Sequence, residues 1–219
     1  MVNEMNLFDT IRDKLNTALL SDALDSLGVV NQVMHESIRP LDPELTLVGR
    51  AFTMLYVDVY EKPDAPYSKE IEAIDQVRPD DVVVVCTNNS RLTGVWGDLL
   101  STATRARGGQ GAVTDGFVRD TRKIIAMRFP VFAAGIKPLD SLGRSVPYAY
   151  QCRVRVGDVL VNPGDIIVGD ADGLVVLPAE LASQAVHVAL EKRNKENSSR
   201  KDLLEGAYLR DVYAKYGVL

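Results

Sequence analysis

Two carboxylates and a guanidinium stand out in this chain. Asp98 follows Gly97 in Gly97-Asp98-Leu99-Leu100, and Arg119-Asp120 closes the run Thr114-Asp115-Gly116-Phe117-Val118. A carboxylate oxygen is a hard ligand suited to Mg²⁺ or Mn²⁺, which keep several waters and take only one or two protein carboxylates. Arginine presents a planar fork to a carboxylate or enolate oxygen. Brought together, the three groups would hold a divalent cation and an anionic substrate. Each also has a plain structural explanation. Asp98 and Asp120 both precede helical patterns, where an acid caps free N–H groups, and Arg119 can be an ion-pair partner. The helix start at Asp98 would also offer the backbone N–H groups of Leu99 and Leu100 to an anion, with Gly97 allowing close approach.

Twenty residues lie between Asp98 and Arg119. They read as a helix over 98–107, a stop at Gly108-Gly109 and a strand starting at Gly111, a connection that returns both ends to one rim of a sheet. Ligands of open α/β sheets bind beyond the carboxyl ends of the strands. Around this segment the pattern alternates. Helices are predicted over 7–15, 17–27, 69–74 and 121–128, and extended chain over 46–60 and 131–134. The apolar run Val82-Val83-Val84-Val85-Cys86 suits a strand buried on both faces. The segments 64–67 and 138–150 read as loops. From 153 to 177, short β stretches separated by Gly, Asp and Asn predict a meander or small barrel built onto the layered core. Helices over 178–195 and 202–213, broken at Asn197-Ser198-Ser199, complete the chain. The expectation is an α/β fold with strands between helices, in a single domain spanning 1–219.

Bulk properties narrow the function classes. The chain has 219 residues, 46% of them hydrophobic, and a net charge of -5 with no charge blocks. A nucleic-acid partner would need a basic patch, so none is expected. No apolar run approaches the roughly 18 residues of a membrane helix, and no signal peptide is apparent at Met1-Val2-Asn3. Cys86 and Cys152 read as reduced core thiols, which suits a cytoplasmic setting.

Other candidates carry less. Gly108-Gly109-Gln110-Gly111 follows a helix and lacks the Gly-Lys-Ser/Thr of a phosphate loop. Lys123 falls on a polar helix face with nothing to desolvate a Schiff-base amine. His35 and His187 form no metal-ligand spacing. Trp96, Asn88, Asn89 and Ser90 either line a pocket or form an irregular loop around a packed tryptophan. The charged stretch 191–196 reads as a solvated helix end or a reach toward a neighbouring subunit.

Gly97-Asp98, the spacing to Arg119-Asp120 and the downstream Phe129-Pro130-Val131-Phe132 resemble the signature of the RraA-like aldolases. That family takes in 4-hydroxy-4-methyl-2-oxoglutarate/4-carboxy-4-hydroxy-2-oxoadipate aldolase and the regulator of ribonuclease E activity A. Thr17-Ala18-Leu19-Leu20-Ser21-Asp22-Ala23-Leu24 is similar to the family's opening helix. The run from Pro163-Gly164-Asp165 through Asp172-Gly173 to Leu177-Pro178 is similar to its Gly- and Asp-rich strand pair.

The resemblance implies a swivelling β/β/α fold with a C-terminal helical extension, about 179–219, against a neighbouring subunit. It also implies homotrimers or homohexamers with a pyruvate-handling site between subunits. By resemblance, Asp120 ligates Mg²⁺ or Mn²⁺, Arg119 meets the keto or enolate oxygen, and Asp98 holds a metal-bound water. The amides of Leu99 and Leu100 bind the substrate carboxylate, and Glu196 is supplied by the adjoining subunit. The activity implied is cleavage of a 4-hydroxy-2-oxo acid to pyruvate, with decarboxylation of oxaloacetate. The alternatives are a non-catalytic regulator of a ribonuclease, or a related metal-dependent lyase acting on a sugar-derived acid. The regulator branch departs at the first acidic position, which is intact here as Asp98. One departure stands: the aldolases carry an acid three residues after the motif's aspartate, and this chain has Lys123. Specificity for the distal half of the substrate is expected from the loops over 60–67 and 138–150 and from a partner chain.

Overall fold

The computed structural model describes residues 4–218. Helices α1 (Glu4–Lys14) and α2 (Thr17–Ser26) open the fold. They lead through β1 (Arg39–Pro40) to the long strand β2 (Leu47–Asp58). Then come α3 (Ser68–Ile74), β3 (Asp81–Cys86), β4 (Gly94–Trp96), α4 (Asp98–Ala106), β5 (Gly111–Val118), α5 (Thr121–Ala126) and β6 (Val131–Ile136). Next are β7 (Ser145–Tyr150), β8 (Val154–Val156), β9 (Val159–Val161), β10 (Ile166–Gly169) and β11 (Leu174–Leu177). Helices α6 (Ala182–Leu204) and α7 (Leu209–Tyr216) close it.

The main sheet has nine strands in the order β1-β6-β5-β3-β2-β10-β11, with β4 added to β5 and β7 added to β2. Strands β2, β3, β5 and β6 run parallel at its centre. Every residue of β3 is buried, as its unbroken valine run requires. The alternating pleat sends Val83 and Val85 toward a core shared with Ala73, Ile74 and Ile124 of α3 and α5. Val82, Val84 and Cys86 point the other way, into a core with Val154 and Val161 of the β8–β9 hairpin and Ile167 and Val176 of β10 and β11. Since Ile167 and Val176 belong to the same sheet as Val82, that sheet curls over its own face. The outer side of β10–β11 presents Ile166, Val168, Val175 and Leu177 to α1, α2 and α6. The result is a mixed α/β fold with strand layers backed by helices on both outer sides.

Several local expectations are corrected. The segment 145–150 is strand β7, paired antiparallel with β2, rather than loop. Its pattern is obscured because Pro147 sits beside a register shift at Leu55/Tyr56, where the ladder tolerates a missing N–H. Strands β10 and β11 join the main sheet, so the segment 153–177 is not a separate meander or barrel; only β8 and β9 stand apart. Asn197-Ser198-Ser199 does not break α6. Ser198 Oγ donates back to the Asn194 carbonyl and Ser199 is buried, so the helix carries on. It ends instead before Gly206, at φ +92°, and α7 starts later than predicted. Asp202 then accepts hydrogen bonds from Lys215 Nζ at 2.8 Å and Tyr216 OH at 2.9 Å, which pins α7 to α6.

Candidate active site

Strand β4 brings the three groups together. It runs parallel to the end of β5, with Trp96 opposite Val118. The next residues on each strand are Gly97-Asp98 and Arg119-Asp120, so the ladder sets them side by side. The Arg119 N–H donates to the Trp96 carbonyl at 2.8 Å and holds that register. Trp96 is buried and donates Nε1–H to Ser101 Oγ, which in turn donates to the Gly97 carbonyl. An aromatic anchor and two hydrogen bonds thus fix the turn from strand into α4.

Neither aspartate caps as expected. Gly97 is the N-cap of α4, and Asp98 is the first helical residue. Asp120 occupies the cap position of α5 but makes no side-chain cap bond, and its backbone is left-handed at φ 57°. Aspartate tolerates that region better than most residues. The Asp120 carbonyl takes the amides of Lys123 and Ile124, which leaves the carboxylate for the pocket.

That carboxylate lies against Gly97: a Cβ there would come 2.8 Å from Asp120 Oδ2 and 3.4 Å from Arg119 Cγ. A side chain here fits only if that carboxylate moves. Replacing Gly97 with Ala is expected to push the Asp120 carboxylate aside with little change in Tm. A crystal structure of the variant with a melting curve checks it.

The electrostatics are crowded. Lys123 Nζ contacts Asp98 Oδ2 at 2.9 Å. This ammonium, hydrogen-bonded to it, holds the Asp98 carboxyl below its ordinary range. Arg119 reaches Asp120 at 3.7 Å and Asp140 at 3.3 Å. Tyr67 OH donates to Asp140 at 2.7 Å; its own pKa is pushed up to about 12, by burial first and that bond second. Glu70 is buried and accepts from Tyr56 OH at 2.5 Å, and burial raises its pKa.

Asp98, Leu99, Leu100, Gly97, Arg119 and Asp120 all line one cavity of about 70 Å³, together with Tyr67, Glu70, Asp140 and Ser141. The Ser101 N–H is bonded to the Gly97 carbonyl, whereas first-turn amides such as that of Leu100 have no acceptor within the helix.

Other predicted residues lie elsewhere. Glu196 lines a separate groove between α6 and α7 with Ser199 and Leu209. Asn89 donates its amide to buried Asp115, and Ser90 Oγ donates to Asp58, so this loop is a structural turn. Gly108-Gly109 ends α4, with the Gly109 N–H bonded to the Thr104 carbonyl. Glu70, Tyr67, Asp140 and Ser141 are pocket residues that sequence reasoning missed. Glu70 carries a usable signal: it shares the buried stripe of α3 with Ala73 and Ile74, an acid among apolar positions at helical spacing. Tyr67, Asp140 and Ser141 come from the two loops expected to set specificity, whose composition gave no individual residue away.

Among the described residues, no group of three or more His, Cys, Asp or Glu side chains is arranged to hold a metal alone. The pair Asp98 and Asp120, which line the same cavity, still suits a cation that keeps most of its waters. Four carboxyl groups face the pocket region against the cations of Arg119 and Lys123.

A family model described as "RraA-like: Aldolase/RraA" matches residues 17–176. Protein DlpA of Legionella pneumophila is 31% identical over 201 residues, covering 92% of this chain and 32% of that protein. The chain therefore spans about a third of that relative's length. A Halalkalibacterium halodurans protein named "Putative 4-hydroxy-4-methyl-2-oxoglutarate aldolase" is 29% identical, over 81% of this chain and 79% of its own. Among solved structures, Streptomyces coelicolor RraAS2 is described as an unusual member of the RNase ES inhibitor RraA protein family. It superposes with a TM-score of 0.80 at 28% identity, over 91% of this chain and 98% of its own.

Proposed function

The chain belongs to the RraA-like family, and on that footing we propose a divalent-metal-dependent aldolase. Its substrate is a 4-hydroxy-2-oxo acid such as 4-hydroxy-4-methyl-2-oxoglutarate, its product pyruvate, and it also decarboxylates oxaloacetate. The observation that carries the reading is the convergence of Asp98, Arg119, Asp120 and the first turn of α4 on one small cavity. Supporting it, a relative of similar length bears an aldolase name.

In this reading the substrate's C1 carboxylate accepts hydrogen bonds from the first-turn amides at Leu99 and Leu100. Arg119 faces the 2-oxo oxygen and stabilises the charge that develops there as the C3–C4 electron pair becomes the pyruvate enolate. Asp98 orients a water against the C4 hydroxyl, and that water takes the proton as the C4 carbonyl forms. Because Lys123 lowers its pKa, Asp98 is a poor store for a proton and acts by orientation. Protonation at C3 then releases pyruvate. Held by Asp120 directly and by Asp98 through water, Mg²⁺ or Mn²⁺ would supply further positive charge for the enolate. The same enolate arises from oxaloacetate by loss of carbon dioxide. The proposal includes assembly as a homotrimer or homohexamer, with Glu196 supplied from an adjoining subunit.

One observation favours a second reading. The Lys123 ammonium already neutralises Asp98, as it would in a binding protein that had given up catalysis. Pyruvate release from a panel of 4-hydroxy-2-oxo acids and oxaloacetate, with Mg²⁺ and with EDTA, separates the two. The aldolase gives product that chelation removes; a panel with no metal-dependent product favours the binding protein.

A further inference from the structure

A groove of about 480 Å³ opens beside the small cavity and shares Arg119 and Asp120 with it. Arg122 and Lys123 of α5 line it together with Ile136 and Pro138. Three cations thus face this groove against one carboxylate. Two of the three are already engaged, Arg119 with Asp120 and Asp140, and Lys123 with Asp98. Arg122 is exposed and has no ion pair among the described residues. Ile136, in the same groove, keeps 64% of its surface exposed, an apolar element in a polar setting.

The cavity at Asp98 is small enough to take only the acid head of a substrate, so the rest of the molecule must leave through a shared wall. Arg119 and Asp120 are that wall, and the groove is what lies beyond it. We infer that the groove is the subsite for the distal half of the substrate and that Arg122 is its specificity-determining residue. Arg122 binds a second anionic group, a carboxylate or a phosphate, carried on a short chain that packs along Ile136 and Pro138. A free guanidinium offers a fork that matches either oxyanion. The inference rests on the proposed 2-oxo acid head and adds the groove and the residue that hold the far anionic group.

Equilibrium binding by calorimetry tests it without requiring turnover. The ligands are 2-oxopentanoate, 2-oxoglutarate and 2-oxo-4-phosphonobutyrate, which share one head and differ at the far end. With Mg²⁺ present, the chain is expected to bind one or both dianionic acids about tenfold to 100-fold more tightly than 2-oxopentanoate. Arg122→Ala should erase that preference while leaving 2-oxopentanoate within about twofold. Arg122→Lys should restore only part of it, because a point charge lacks the fork. Which dianion is preferred distinguishes carboxylate from phosphate. If 2-oxopentanoate binds but the dianions bind no tighter, or if Arg122→Ala weakens all three alike, the subsite is wrong and the head-group reading survives. If none of the three binds, the head-group reading fails and the inference falls with it.

Discussion

Replacing Asp120 with Ala is expected to abolish metal-dependent release of pyruvate, a loss of at least about a thousandfold in kcat/KM. The size follows from what the residue does not do. Its side chain caps nothing, and its structural bonds to Lys123 and Ile124 come from the backbone carbonyl. The carboxylate is held beside Gly97 and Asp98, where a hydrated cation would meet it. Alanine carries one complication: at φ 57° it is strained by about 1 kcal/mol, so some stability is lost as well. Asparagine tolerates that backbone and keeps the size while removing the charge. Asp120→Asn should therefore match the wild-type Tm and still lose turnover, and that separates chemistry from folding. Normal cleavage by either variant would remove Asp120 from the metal site.

Replacing Arg119 with Lys is expected to lower kcat by about 100-fold. The charge is kept and the geometry is not. In the structure the guanidinium spans Asp120 at 3.7 Å and Asp140 at 3.3 Å while edging the Gly97 cradle. A lysine ammonium can satisfy one of those carboxylates but cannot bridge both and still face the pocket. If Arg119 acts on charge that develops only as the C3–C4 bond breaks, the loss falls on kcat and leaves KM nearly unchanged. A rise in KM with unchanged kcat would instead make Arg119 a ground-state anchor. The backbone bond from Arg119 to Trp96 persists in the variant, so Tm should hold.

The candidate site was legible where residue type alone carries chemistry. Asp98, Arg119 and Asp120 were readable as a cation and anion cluster, and the helix and strand between them were placed within a few residues. The cause of their convergence was not. Strand β4 is only Gly94-Val95-Trp96, too short for a period to show, yet its register with β5 aligns the two motifs. The capping roles failed for a related reason. An aspartate before a helix reads as a cap, but Asp120 has a left-handed backbone and makes no side-chain cap bond, and dihedral angles leave little trace in composition. Alternation of strands and helices was clear because burial imposes periodicity. The joining of β10 and β11 to the main sheet was not, since long-range pairing depends on partners distant in the chain. Lys123 stands out in the sequence as a departure from the family pattern; its pairing with Asp98 is visible only in three dimensions.

The proposed chemistry requires this pocket to make the enolate of pyruvate, whatever is attached at C4. Exchange of the pyruvate methyl protons in deuterated water, followed by proton NMR, isolates that step from the distal half of the substrate. With Mg²⁺ or Mn²⁺ the chain should wash deuterium into C3 of pyruvate well above the rate of metal alone. Chelation or Asp120→Asn should return it to background. Exchange that is absent with metal, or unchanged by chelation and by Asp120→Asn, would contradict the account.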